Sequence, residues 1–215
     1  VNAFERMRLL EECDIVTVIR RLAPEDVFPL SEALVEGGIT AFEVTVDSEN
    51  AYQIIRDLKK KWGDQALVGA GTVLDEVSAR LAIDAGADFV FSPIYSKEVI
   101  QTANRYGVLA LPGVLTPTEM VEAYQMGADA VKLFPASAFG PSYVKDMQGP
   151  LGHIPIIPTG GISHDNIQDY MQNGALAVGV GGGLVDPEVI HKGEFSEITK
   201  RARQLKDAAK GRNHQ

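Results

Sequence analysis

The chain has one cysteine, Cys13, in 215 residues. No intramolecular disulfide can form, and nothing points to an oxidising compartment. Cys13 has no histidine near it in sequence, so it reads as a small core residue rather than a nucleophile. Histidine is also scarce: His153, His164, His191 and His214 fall at scattered loop or helix positions with no pair at ligand spacing. They read as surface groups, and no metal site is expected. Long apolar runs are missing. Residues 1–12 lack the apolar core of a signal peptide, and no later run approaches a membrane span, so a cytoplasmic protein away from membranes is expected. Positive charge is in deficit as well. With 20 Lys and Arg against 29 Asp and Glu, the net charge of −9 argues against nucleic acid or an anionic membrane as partner. A small anionic ligand, held by local groups, stays open. Gly69-Ala70-Gly71 lacks the third glycine and the following acid of a dinucleotide fingerprint.

What is present is a regular alternation. After an amphipathic start with Phe4, Met7, Leu9 and Leu10, the β-branched run Ile15-Val16-Thr17-Val18-Ile19 suits a strand buried on both faces. Pro24-Glu25-Asp26 opens a helix, since Pro fits the first turn and acids favour the positive end of the dipole. The pattern predicts further strands over 41–46, 67–73, 89–93, 108–114, 130–135, 156–162 and 177–182. Helices are predicted over 51–62, 75–85, 97–106, 117–126, about 141–147 and 165–172, with a last one through Ile198 and Leu205. Helix-to-strand joints repeat a small-residue signature at Gly37-Gly38, Gly86-Ala87, Gly127-Ala128 and Gly174-Ala175. Eight strand-then-helix units without a linker predict an α/β fold, a single (β/α)8 TIM barrel over 1–215 with a short N-terminal helix and a frayed tail from about 210. An open doubly wound sheet is the other arrangement such alternation allows, because strand order is invisible in sequence.

One strand carries an anomaly: Lys132 interrupts the apolar run Ala130-Val131-Lys132-Leu133-Phe134-Pro135. Lysine is almost never fully buried unless paired. Burial disfavours the charged form of an amine, and a neutral amine attacks carbonyls, so Lys132 is a candidate imine-forming nucleophile. A structural lysine neutralised by a carboxylate is the alternative. Active sites of this fold lie at the C-terminal ends of the strands. There, in Phe42-Glu43-Val44-Thr45, two-residue alternation puts Glu43 and Thr45 on one face, the lumen if their apolar neighbours meet helices. Glu43 is the natural opposite number to Lys132. Gly69-Ala70-Gly71-Thr72 offers bare backbone and a hydroxyl. Pro158-Thr159-Gly160-Gly161 and Gly179-Val180-Gly181-Gly182-Gly183 place glycine-rich loops after strands seven and eight, where this fold recurrently binds phosphate through backbone N–H groups.

On the motifs Phe42-Glu43-Val44-Thr45, Val68-Gly69-Ala70-Gly71-Thr72-Val73, Lys132-Leu133-Phe134-Pro135-Ala136 and Pro158-Thr159-Gly160-Gly161-Ile162, the chain resembles the 2-keto-3-deoxy-6-phosphogluconate/4-hydroxy-2-oxoglutarate aldolases. The resemblance runs from about Ile15 to the final helix. It implies a cofactor-free class I aldolase on a (β/α)8 barrel, a homotrimer, cleaving a 2-keto-3-deoxy-6-phospho sugar acid to pyruvate and glyceraldehyde 3-phosphate. It further implies that Lys132 forms the imine, Glu43 moves protons through water and Thr72 holds the pyruvate carboxylate. Phe134 would pack beside the imine and Pro93 would line the pyruvate end. Gly160, Gly161, Gly182 and Gly183 would cradle phosphate. Thr159 resembles the gluconate branch, whereas 137–143 are closer to the galactonate branch.

The chain departs from many members in carrying Asp47 where they have a carboxylate-binding arginine, and Gly183 where they have serine. A substrate carboxylate in a lumen beside Asp47 would need an offsetting cation, and Arg20 at the end of the first strand is the candidate. Whether Arg20 or Arg21 faces inward depends on a strand parity that sequence leaves open. Two other functions fit the barrel and its phosphate loops: a phosphosugar isomerase or epimerase using acid-base groups without an imine, and a non-catalytic sugar-phosphate sensor.

Overall fold

The β-branched run after the first helix forms β1 (Ile15–Ile19), and its alternation separates two environments. Ile15 and Ile19 pack outward under helices, whereas Val16 enters the lumen. The computed structural model describes residues 2–210, so the tail expected to fray lies, beyond Lys210, outside the described residues. The remaining strands are β2 (Ala41–Thr45), β3 (Leu67–Gly71), β4 (Phe89–Phe91), β5 (Leu109–Leu111), β6 (Gly113–Val114), β7 (Val131–Leu133), β8 (Ile156–Pro158) and β9 (Val178–Val180). All pairings are parallel, in the orders β5-β4-β3-β2-β1-β9 and β6-β7-β8.

β5 and β6 are one barrel strand interrupted at Pro112, which has no N–H to give to a ladder. The other junction is a single parallel bridge from Thr159 to Gly179. Because β5 runs on into β6 at one edge and the end of β8 is bridged to β9 at the other, the two sheets join into a barrel, which excludes the open doubly wound arrangement.

The helices are α1 (Ala3–Cys13), α2 (Pro24–Glu36), α3 (Ala51–Trp62), α4 (Glu76–Asp84), α5 (Lys97–Arg105), α6 (Pro117–Gln125), α7 (Pro141–Leu151), α8 (Ile167–Gln172), α9 (Pro187–His191) and α10 (Phe195–Ala209). Their starts are chemically marked: Asp75 caps α4, Ser96 caps α5, and Thr116 with Glu119 closes a reciprocal capping box on α6. Gly38, Gly86, Gly127 and Gly174 all have φ between +89° and +99°, the left-handed exit that the repeated joints anticipate. Two features differ from the sequence reading. Helix α7 runs to Leu151 instead of ending near 147, and α9, a five-residue helix capped by Asp186, precedes the last helix.

Helices and sheet enclose a continuous outer apolar layer, while a second cluster fills the lower lumen. In that lower layer Phe89 and Phe91 stack edge to face, 5.4 Å between centroids, with Val16, Ala41, Leu67, Leu111, Ala130 and Ile157 around them. Gly69 makes room for this filling, since a Cβ there would lie 2.2 Å from the Phe89 ring. Leu10 and Cys13 of α1 close the barrel floor. Asp88, buried, ties α1 in place: it accepts from Arg6 Nε at 3.2 Å, Lys59 Nζ at 2.7 Å and the Val68 N–H at 2.9 Å.

Asp88→Ala would leave two cations without their carboxylate and one buried N–H unpaired. The variant is expected to lose about 3 kcal/mol in chemical denaturation, the low end for a broken buried pair because both cations stay partly solvated. A loss under about 1 kcal/mol would show that the floor packing alone holds α1.

Candidate active site

β7 contributes Lys132 by the parity that sends Ala130 into the lumen, and β2 contributes Glu43 by the parity of Ala41. Both side chains are buried, Glu43 at 1% and Lys132 at 6% exposed. Lys132 Nζ donates to Glu43 Oε1 at 3.2 Å. The ammonium also lies 4.7 Å from the Phe91 ring centroid and 5.6 Å from that of Phe134, so aromatic faces cover the sides that the carboxylate does not. Glu43 fits only because its neighbour on β3 is glycine: a Cβ on Gly71 would stand 1.9 Å from Glu43 Oε1. Glu43 Oε2 is buried and has no hydrogen-bond partner among the described residues. One carboxylate oxygen therefore holds the amine and the other is available for a proton.

These groups open into a cavity of about 650 Å³ at the C-terminal ends of the strands. Lys132, Glu43, Thr72, Pro93, Phe134, Thr159, Arg20, Gly160, Gly161, Gly182 and Gly183, the residues singled out from sequence, all line it. Val18, Arg21, Ile162, Gly179, Gly181, Val185 and Pro187 line it too and were not singled out for it. Val18 was legible, since it shares the parity of Val16 and Arg20. Val185 and Pro187 come from the turn and short helix after β9, whose path the strand pattern did not reveal. Gly179 leaves the space that Thr159 fills, because a Cβ there would come within 2.3 Å of Thr159 Oγ1.

At the mouth the parity question is resolved. Arg20 continues the inward face of β1, and its Nη2 donates to Thr72 Oγ1 at 2.7 Å. Thr72 has φ of +57°, a conformation that β-branched residues rarely adopt, so its hydroxyl is held at the site against local strain. Arg21, also at positive φ, turns to the rim: its N–H donates to Ser48 Oγ and its guanidinium pairs with Asp47 at 2.9 Å. The expectation that Asp47 confronts a ligand inside the lumen is corrected accordingly. Asp47 follows the end of β2, does not line the cavity, and is neutralised by Arg21. Partial burial pushes its carboxyl up, but the Thr45 hydroxyl and the Arg20 and Arg21 guanidiniums outweigh this and hold it below the ordinary carboxylate range.

Around the same cavity, the N–H groups of Gly160, Gly161, Gly182 and Gly183 have no acceptor among the described residues. Gly160 and Gly161 have φ of +97° and +77°, which aims consecutive N–H groups to one side. Such a bare backbone suits an oxyanion. The arrangement thus gathers a guanidinium, a hydroxyl, an amine beside a carboxylate and unpaired backbone N–H groups around one cavity. It can hold an anion with an electrophilic carbon over Lys132. Among the described residues no group of three or more His, Cys, Asp or Glu is placed to hold a metal, and no helix is long and apolar enough to cross a membrane.

Residues 7–201 match the family model for KDPG and KHG aldolases. A KHG/KDPG aldolase of Escherichia coli (strain K12) is 36% identical over 199 residues, 91% of each chain. A 2-dehydro-3-deoxy-6-phosphogalactonate aldolase of the same strain is 32% identical over 171 residues, 79% of this chain and 83% of that one. Among solved structures, the KDPG aldolase of Legionella pneumophila, with pyruvate captured at low pH as a covalent carbinolamine intermediate, superposes with a TM-score of 0.86. It is 31% identical to this chain, and the match covers 93% of this chain and 97% of that one.

Gly71→Ala tests the fit between β2 and β3. The added methyl must displace the Glu43 carboxylate, so catalysis at this site should fall by at least about 10²-fold, the scale set by a misplacement of about an ångström. Far-ultraviolet circular dichroism should stay native. Full turnover in this variant would show that Glu43 need not hold its position beside Lys132.

Proposed function

The chain belongs to the KDPG and KHG aldolase family, and on that premise we propose how its own residues carry out the reaction. It is a class I aldolase, a carbon–carbon lyase working through an imine. Its substrate is a 2-keto-3-deoxy-6-phospho sugar acid of the gluconate or galactonate type, cleaved reversibly to pyruvate and glyceraldehyde 3-phosphate. 4-Hydroxy-2-oxoglutarate, cleaved to pyruvate and glyoxylate, is a smaller alternative. The observation that carries the assignment of roles is the buried Lys132 amine 3.2 Å from the Glu43 carboxylate at the base of the cavity.

Lys132 Nζ attacks the C2 carbonyl, and loss of water gives a protonated imine. Glu43 takes the proton of the C4 hydroxyl, directly or through one water, using the oxygen that Lys132 does not engage. As that proton leaves, C4–O becomes the carbonyl of the departing aldehyde and the C3–C4 electron pair moves into the imine, giving a neutral enamine. Glu43, now protonated, returns its proton to C3. Water then hydrolyses the pyruvate imine and frees Lys132. Phe134 and Phe91 shield this centre, so the cationic imine forms against aromatic faces rather than bulk water.

Arg20 and Thr72 bind the C1 carboxylate, with Pro93 closing that end. Arg20 thus supplies the cation that many relatives place on the second strand, and Asp47 serves Arg21 instead. Thr159, whose hydroxyl is buried without a partner among the described residues, faces the C4–C5 segment. Gly160, Gly161, Gly182 and Gly183 receive the phosphate through their N–H groups. We read the working unit as a cytoplasmic homotrimer. The exposed apolar side chains Leu74, Val77, Leu81 and Ile94, on and around α4, are a surface that association would cover.

Incubation with pyruvate and borohydride, followed by peptide mapping, should place one reduced adduct on Lys132. Glu43→Gln should still form it while cleaving substrate at least about 10²-fold more slowly, the usual contribution of a positioned acid-base group. Labelling elsewhere, or none, would favour an imine-free isomerase, an epimerase or a sensor.

Arg20→Ala should weaken pyruvate binding by about 1.5 kcal/mol, the low end for a charged hydrogen bond because Arg20 is exposed at the mouth. Titration of imine formation against pyruvate concentration measures it. Unchanged binding would assign the carboxylate to Thr72 and backbone donors alone.

A further inference from the structure

The turn after β9 is held from outside the cavity. The Gly181 carbonyl accepts from the Leu184 and Val185 N–H groups at 2.9 and 3.0 Å, so the segment folds as one turn with the Gly182 and Gly183 N–H groups at its open end. Neither glycine has a positive φ, and a Cβ on either would meet nothing within 4 Å. Bare backbone is demanded here neither by space nor by conformation, and the turn has no side-chain packing at these two positions. A glycine pair placed this way keeps more torsional freedom than any other dipeptide.

The restraint comes from α10. Arg201 Nη1 donates to the Asp186 carboxylate at 3.1 Å and reaches the Gly183 carbonyl at 3.5 Å, while its Nε donates to Glu197 at 3.2 Å. Asp186 is itself fixed, since its other oxygen caps α9 by accepting from the Glu188 N–H at 3.0 Å. Arg201 does not line the main cavity. Its planar fork therefore ties three things together behind the turn: the last helix, the start of α9 and the peptide that follows Gly183.

We propose that Arg201 is a positioning residue for phosphate recognition, which fixes the Gly182-Gly183 backbone so that its N–H groups converge on the oxyanion. The inference rests on the reading of the glycine loops as the phosphate site. The contact restrains the Gly183 carbonyl, and with it the exit of the turn, while the two bonds to the Gly181 carbonyl restrain its entry.

The test compares the phosphorylated sugar acid with the same acid lacking its phosphate. Arg201→Met should raise KM for the phosphorylated substrate about tenfold with kcat little changed, and should leave KM for the unphosphorylated acid within about twofold, the pattern of lost uniform binding at one end of the substrate. Competitive inhibition by inorganic phosphate should weaken in parallel. Arg201→Lys, which keeps the charge without the fork, should fall between. Asp186→Asn, which retains a capping side chain while removing the charge that holds Arg201, should reproduce the split at smaller size and serves if Arg201→Met folds poorly. Equal loss for both substrates, or no change in either, would overturn the inference. A wild-type enzyme with no preference for the phosphorylated acid and no inhibition by phosphate would instead overturn the phosphate reading beneath it.

Discussion

An amine and a carboxylate 3.2 Å apart inside a closed barrel are the constraint that the remaining structure serves. Taking two charges out of water costs several kcal/mol per ion, and their mutual attraction repays it only with good geometry. Apolar residues at these two positions would stabilise the barrel at least as well, so the pair marks chemistry rather than stability. Keeping it requires Gly71 beside Glu43, Phe91 beneath Lys132 and a lumen sealed below by aromatic rings. The small residues of β3 are consequences of this pair and its floor.

Floor and mouth follow opposite rules. Below the ion pair apolar side chains fill the lumen, α1 covers it, and Asp88 accepts from three donors at once. Above it, polar groups are left over. Thr72 sits in a strained conformation, Glu43 Oε2 and Thr159 Oγ1 lack partners among the described residues, and the N–H groups of four cavity-lining glycines are unpaired. Buried polar groups are ordinarily paired, and of the three unpaired buried side-chain atoms among the described residues two, Glu43 Oε2 and Thr159 Oγ1, belong to residues lining this cavity, Thr17 Oγ1 being the other. The same asymmetry explains how a chain of net charge −9 can bind an anion. The cavity is lined by local donors and by two rim arginines, one bonded to the Thr72 hydroxyl and one to Asp47.

The family match and the buried Lys132–Glu43 pair are compatible with each other. Residues 7–201 match as a sequence, while the geometry alone would nominate Lys132 as nucleophile and Glu43 as its proton partner. Asp47 shows where resemblance by position is an incomplete guide. The position usually given to a carboxylate-binding arginine here carries the opposite charge, yet the cavity still contains a guanidinium, from β1.

By itself the sequence determined the periodic architecture and the shared face of Glu43 and Thr45, because a two-residue alternation and left-handed glycine exits are local properties of the chain. It also singled out Lys132, since an unpaired buried ammonium is costly in any fold. Only tertiary structure decided which strands are neighbours, and with them the closure of β1 on β9, the break at Pro112 and the meeting of Glu43 with Lys132. It alone showed that Arg20 donates to Thr72 while Arg21, in a left-handed turn, pairs with the Asp47 carboxylate on the next loop. The bracing of the glycine turn by Arg201 was equally hidden, for it joins a loop and a helix through side chains whose distance no local pattern encodes.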